Sequence, residues 1–295
     1  MSREILVLGL NPAWQRVFFL DKFVPGEVHR ISKVKEYASG KGINCCRVLQ
    51  LLGGTPRLMH FLGAGNGEKI FDELSTCGIQ QVPVWIRENT RICTTIACNG
   101  DTTELVEPSP TLADSENDDF AQTLNDYWDS TQYVALCGTF PQGFDTKMFD
   151  SLDFNGKQVF ADAIDGIDEL LAKGVELLKI NKLEYCKLLE RLPIKNLVVT
   201  DEDSPVRAFR LVEKKFQGIQ LQPPSVTVKN DIGAGDSFFA GWLYACDQGM
   251  SFESCLAKAT AVASARCEVE RPWNLSLDRV AELENELATK VERLE

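Results

Sequence analysis

Short, continuous apolar runs punctuate the chain at 5–10, 58–62, 133–137, 158–161, 177–180 and 197–200, each bounded by Gly, Asn or Asp. Runs of that length without strict alternation predict strands buried on both faces, as in a parallel sheet. Between them, apolar positions recur at helical spacing over 42–52, 69–77, 118–129, 167–173 and 182–189. Alternating strands and helices imply right-handed crossovers and a doubly wound sheet covered on both faces. Two stretches break this rhythm. The alternation in VFFLDKF and VHRISKVKEYA, over 16–38, and in ICTTIACNGDTTELVE, over 91–107, predicts half-buried antiparallel strands. Asn99-Gly100 supplies a hairpin turn signal, since both residues tolerate positive φ. Neither piece can stand alone. Together they predict a small β-sheet projecting as a lid or dimer contact, from about 12–38 and 84–110 of a single domain spanning 1–295. Near the C-terminus, Val280, Leu283, Leu287, Val291 and Leu294 follow helical spacing behind Ser276 as a cap. That seam is too short for a coiled coil and predicts a helix packed on the domain edge.

A length of 295 residues permits one large α/β unit or two domains. Charge narrows the partners: 43 acidic against 31 basic residues give a formal net charge of −12. Such a field repels phosphodiester backbones and anionic lipid, so neither nucleic acid nor membrane is expected. An anionic substrate would need a local cluster of cations or backbone amides. The ten cysteines are scattered without a CxxC pair, and His29 and His60 are the only histidines, so zinc spacings are missing. A reducing cytoplasm fits this usage. The opening MSREILVLGLNP is too short for a signal-peptide core, and no run reaches membrane-spanning length.

The sharpest chemical feature is VTVKNDIGAGDSFFAGWLYAC, which predicts a strand from Val226, a tight turn at Gly233-Ala234-Gly235-Asp236, and a helix carrying Phe238, Phe239, Trp242 and Leu243. Glycines before a helix N-terminus let backbone N–H groups converge on an anion, and the helix dipole adds positive potential. Asp236 could then accept the proton of an attacking hydroxyl as a phosphoryl group arrives. It could equally do no more than complement the helix dipole. A second glycine turn, Ser39-Gly40-Lys41-Gly42-Ile43-Asn44, opens another helix with a Lys for an anion and an Asn for a sugar hydroxyl. It is not a Walker A loop, because Gly42 follows Lys41. LGAGNGEK, with glycines at 63, 65 and 67, misses the dinucleotide spacing.

These motifs, with LNPAWQR, GEVHRI, FLGAGNG, TRICTTI, TTELVEP, CGTFPQG and KINKLEY in the same order, resemble the ribokinase-like (PfkB-type) family of carbohydrate kinases. The similarity is greatest to its 1-phosphofructokinase and tagatose-6-phosphate kinase branch and runs from about Ile5 to about Val269. The resemblance implies a three-layer α/β/α sandwich with a mostly parallel doubly wound sheet and a small β lid. It also implies ATP and Mg²⁺ as cofactors, a sugar phosphate as the small-molecule partner and a homodimer through the lid. Asp236 would be the base, and Gly233, Ala234 and Gly235 the anion hole. Asn11, Gln15, Gly40, Lys41, Asn44, Arg91 and Thr139 would bind substrate, with Lys41 and Arg91, and more weakly Arg30, on its phosphate. Lys179 and Thr200 would join Gly233 and Gly235 at the nucleotide. Asn181 and Glu184 would hold Mg²⁺ through water. Four departures stand out. Gln15 replaces the Asp that accepts from sugar hydroxyls, Ser39 replaces a Gly, Glu202 stands where the nucleotide loop has a Gly, and Asp231 precedes the GAGD turn. They keep open a kinase for a non-phosphorylated sugar or nucleoside, and a degenerate kinase that senses sugar phosphate.

Overall fold

A computed structural model describes residues 3–99, 101–162, 168–188, 194–271 and 273–294. Strand β1 (Glu4–Leu8) sends Ile5 and Val7 to one face of the main sheet and Leu6 and Leu8 to the other, each 2% exposed or less. Burial on both faces is why this run is apolar throughout. β1 pairs in parallel with β4 (Thr55–Gly63) on one side and β8 (Tyr133–Cys137) on the other. Beyond β4 lies β5 (Gln80–Ile86), and beyond β8 follow β9 (Gln158–Asp162), β10 (Leu177–Asn181) and β11 (Asn196–Thr200), all parallel. Antiparallel strands β12 (Val206–Val212), β13 (Lys215–Leu221) and β14 (Glu292–Leu294) close the far edge.

Helices α1 (Lys41–Leu51), α2 (Ala64–Thr76), α6 (Ala234–Asp247), α7 (Phe252–Cys267) and α8 (Leu277–Leu287) build the core on the Ile5 and Val7 face. On the opposite face α3 (Asp114–Trp128), α4 (Asp168–Lys173) and Tyr185 of α5 (Lys182–Leu188) pack against Leu6 and Leu8. This is the three-layer sandwich that the alternating pattern implies.

Two expectations in the C-terminal half are corrected. The C-terminal helix stops at Leu287, so Val291 and Leu294 leave its face, and Leu294 pairs with Gly218 in β14. Val280, Leu283 and Leu287 carry the packing, each 1% exposed or less, and Ser276 caps the start by accepting from Arg279 N. Truncating Leu283 to Ala would cost about 2–5 kcal/mol. The segment from Val226 forms no strand: Lys229 N and Asn230 N bond Cys267 O, at the end of α7.

The small sheet has the order β3 (Lys33–Ser39), β2 (Ala13–Leu20), β6 (Ile92–Cys98), β7 (Asp101–Val106). Its outer pairs are antiparallel, but β2 and β6 run parallel, unlike the wholly antiparallel arrangement expected. Each follows a strand of the parallel main sheet through a short connection, so both leave that sheet in the same direction. Val84–Ile86 belong to β5 in the main sheet. Asn99 adopts φ 52°, while Gly100 lies outside the described residues. The pair of buried Arg47 and half-buried Glu73 clamps the lid to the body: Arg47 donates to Ala38 O at 2.6 Å and Glu73 accepts from Ala38 N at 2.8 Å.

Candidate active site

Strand order reverses between β1 and β8, and at such a switch point open α/β sheets bind ligands in a crevice beyond the carboxyl ends of their strands. There Asn11 Nδ2 donates to Thr139 Oγ1 at 2.9 Å, and Arg91 Nη2 donates to Asn11 O at 3.1 Å. Gly40, at φ 129°, packs against the same turn: a Cβ on it would lie 3.1 Å from Pro12 Cα. Only glycine combines that angle with that approach. Asn11 Oδ1 and Arg91 Nε are buried without a hydrogen-bond partner.

Across the crevice, Gly233 takes φ 81° and caps α6, which puts Ala234, Gly235 and Asp236 in the first helical turn. First-turn N–H groups have no intrahelical acceptor and so face outward toward an anion. Asp236 is 8% exposed, and its Oδ2 accepts from Asn44 Nδ2 at 2.8 Å, leaving Asn44 Oδ1 unpartnered. Burial, then the charge of Asp162, raises the Asp236 pKa, against opposition from Lys41, the Asn44 hydrogen bond and Lys179.

Asp162 is a residue that sequence reading missed. It ends β9, 1% exposed, and accepts from Lys41 Nζ at 3.1 Å and Lys179 Nζ at 3.2 Å. Burial pushes its carboxyl up, but Lys179 and Lys41 outweigh burial and the net shift is downward. Burial alone would lower the Lys41 pKa, and the carboxylates of Asp162 and Asp236 raise it instead. Lys179 Nζ hangs over the glycine turn, 2.9 Å from where a Cβ on Gly235 would sit. The available signal was a lone Asp closing the run Val159-Phe160-Ala161, at a strand end where open α/β sheets gather ligands.

Lys41 therefore joins the carboxylates, whereas Arg91 joins Asn11 and Thr139. Gln15 is 7% exposed and points its amide into the lid, donating to Thr95 Oγ1 at 2.9 Å and Arg16 O at 3.3 Å. On the other side of the glycine turn a cavity of about 210 Å³ is lined by Thr200, Glu202, Val226, Ala234, Gly235 and Phe238. Glu202 holds φ 42° there, so the loop keeps a left-handed residue without its glycine. Asp231 lines a second cleft, between lid and body, which meets that cavity at Val228. Asn181 and Glu184 bond each other at the start of α5: Asn181 N donates to Glu184 Oε2 at 2.8 Å, and Glu184 N to Asn181 Oδ1 at 2.9 Å. Among the described residues no group of three or more His, Cys, Asp or Glu side chains could hold a metal directly.

A doubly wound sheet whose polar groups gather at its switch point, under a small β lid, defines an α/β fold of the ribokinase-like class. The chain belongs to the pfkB family carbohydrate kinases, whose pattern matches residues 3–276. It is 27% identical to a tagatose-6-phosphate kinase of Staphylococcus epidermidis, over 95% of this chain and 97% of that protein. It is 25% identical to a 1-phosphofructokinase of Vibrio cholerae, over 90% and 89%. Among solved structures, the phosphofructokinase-2 of Escherichia coli in complex with fructose-6-phosphate superposes with a TM-score of 0.85 at 21% identity, covering 98% of this chain and 100% of that one.

Proposed function

We propose that the protein transfers the γ-phosphoryl group of ATP to a hydroxyl of a sugar phosphate, with Asp236 as the base. The observation that carries this is the place of the Asp236 carboxylate, at a glycine turn shared between the cavity and the acceptor crevice. An acceptor hydroxyl seated by Asn11, Asn44 and Thr139 gives its proton to Asp236 as its oxygen bonds the γ-phosphorus and the bond to ADP breaks. The first-turn amides of α6, Lys179 and Lys41 face the charge that develops on the transferred oxygens. Lys41, tied to Asp162, thus serves the reacting end, and Arg91 is the cation for the phosphate already on the substrate. The names of the relatives, a tagatose-6-phosphate kinase and a 1-phosphofructokinase, support such an acceptor.

Mg²⁺ would neutralise nucleotide charge. Asn181 and Glu184 fit it as outer partners: they offer amide and carboxylate oxygens, and a hydrated ion that dehydrates reluctantly needs no cage of protein ligands. Exposed Val34, Leu105 and Val106 on the small sheet support pairing of two copies through their lids. The free state of the described cysteines fits a reducing cytoplasm.

ADP release by the purified protein, measured with a panel of sugars and sugar phosphates, tests the reading. Turnover is expected on a ketohexose phosphate and should be weak on the free sugars. Turnover only on unphosphorylated sugars or nucleosides would move Arg91 to another role, and none on any acceptor would contradict the assignment.

A further inference from the structure

Arg266 closes the last turn of α7 with its side chain fully buried, yet among the described residues its guanidinium forms no ion pair. It meets backbone carbonyls instead. Nη1 donates to Val269 O at 2.7 Å and to Asn230 O at 3.3 Å, and Nη2 donates to Ile232 O at 2.6 Å. A buried charge facing neutral dipoles carries a large desolvation cost, so these oxygens must be held tightly for the arrangement to persist. Where they sit gives the reason. Ile232 directly precedes Gly233, and the loop before it is tied to the same helix end: Lys229 N reaches Cys267 O at 2.7 Å, and Asn230 Nδ2 reaches Glu270 O at 2.9 Å. Asn230 Oδ1 then accepts from Ile232 N at 2.9 Å, fixing that peptide from its other side. Carbonyl oxygens gathered around one positive centre are the ligand set that alkali cations take. Here the positive centre is covalently part of the chain.

We infer that Arg266 is a positioning residue, a built-in cation that gathers the carbonyls of Asn230, Ile232 and Val269, fixes the turn into Gly233 and makes the enzyme independent of added monovalent cations. The rate effect rests on the phosphotransfer reading. The effect on melting does not.

Two measurements test the inference. Wild-type kcat in potassium, sodium or tetramethylammonium chloride at equal ionic strength is expected to stay level. Arg266→Ala is expected to lose about 10- to 100-fold in kcat, the range for a charge-assisted contact, with acceptor KM nearly unchanged. Millimolar guanidinium or potassium should restore part of that rate and raise the variant's Tm, while tetramethylammonium, which is too large and has no donors, should do neither. The wild-type Tm should not respond. A packing role alone would give no such ion-selective rescue. Strong potassium dependence of the wild type, or an Arg266→Ala protein with normal kcat, would overturn the inference. So would a variant whose Tm ignores both ions. If the Ala variant does not fold, the wild-type cation series decides by itself, and without phosphotransfer the Tm responses remain readable.

Discussion

The strand end that carries Asp162 and the helix start that carries Asp236 are both buried and face the same two lysines, yet their carboxyls shift in opposite directions. Asp162 accepts directly from Lys41 and Lys179, and their charge overcomes its burial. Asp236 has a neutral amide as its hydrogen-bond partner, and the Asp162 charge works against its ionisation. Two buried carboxylates thus differ: one is a fixed anion and the other holds a proton more readily. The difference lies in who touches the lysines. For proton transfer the second is the useful one, because a base works best when its pKa moves toward the operating pH.

Removing the Asp236 charge should have the largest effect. Asp236→Asn is expected to lower kcat by about 10² to 10⁴, the usual range for a positioned base, while ATP affinity holds. Its stability should move the other way. Because the folded pKa lies above the unfolded one, ionised Asp236 destabilises the fold at neutral pH, so the Asn variant should melt no lower than wild type. A fall in Tm with normal turnover would reduce Asp236 to a helix-dipole partner.

Asp162→Asn should behave in the opposite sense. Its folded pKa is depressed, so its stabilisation is fully present above the unfolded carboxylate pKa and is lost as pH falls through the folded value. Breaking this pair should cost on the order of 3 kcal/mol at neutral pH, and the gap to wild type should close on acidification. Turnover should fall too, since Lys41 and Lys179 lose their anchor. A variant as stable as wild type at neutral pH would undo the contrast.

Arg91→Ala probes the crevice away from both carboxylates. It is expected to raise KM for a phosphorylated acceptor about tenfold or more, from loss of a charge-assisted contact worth about 1.5–3 kcal/mol, with kcat changed less. Loss of ATP affinity alone would reassign the residue. The smallest effect should come from Glu202→Gly, which relieves a left-handed residue by roughly 1 kcal/mol and removes a negative charge from the cavity wall. Melting should rise slightly and KM for ATP should fall a few-fold; an unchanged KM would place the nucleotide elsewhere.

The main sheet was legible because double burial leaves a continuous apolar run, and the predicted strand 133–137 coincides with the observed one. The GAGD and SGKG turns were legible because their backbone angles demand glycine, as at Gly40 and Gly233. Asp162 was not, since its role depends on Lys41 and Lys179 arriving from other elements, 121 and 17 residues away in sequence. The parallel pairing of β2 with β6 was hidden for a related reason: strand alternation reports burial, while direction comes from how each strand leaves the main sheet. Val291 and Leu294 fit a helical period by chance: the helix ends before both, and edge pairing with β13 takes up Leu294. For Gln15 the sequence gives the residue type at the lid, while the bonds of its Nε2 to Thr95 Oγ1 and Arg16 O come only with the fold.

The acid limb of kcat/KM for wild type beside Asp236→Asn tests the central claim most directly. Proton abstraction requires ionised Asp236, so wild-type activity should fall on acidification through one group titrating above the ordinary carboxylate range, and the limb should vanish in the variant's residual activity. A limb at the ordinary carboxylate position, or one that persists unchanged in Asp236→Asn, would contradict Asp236 as the base.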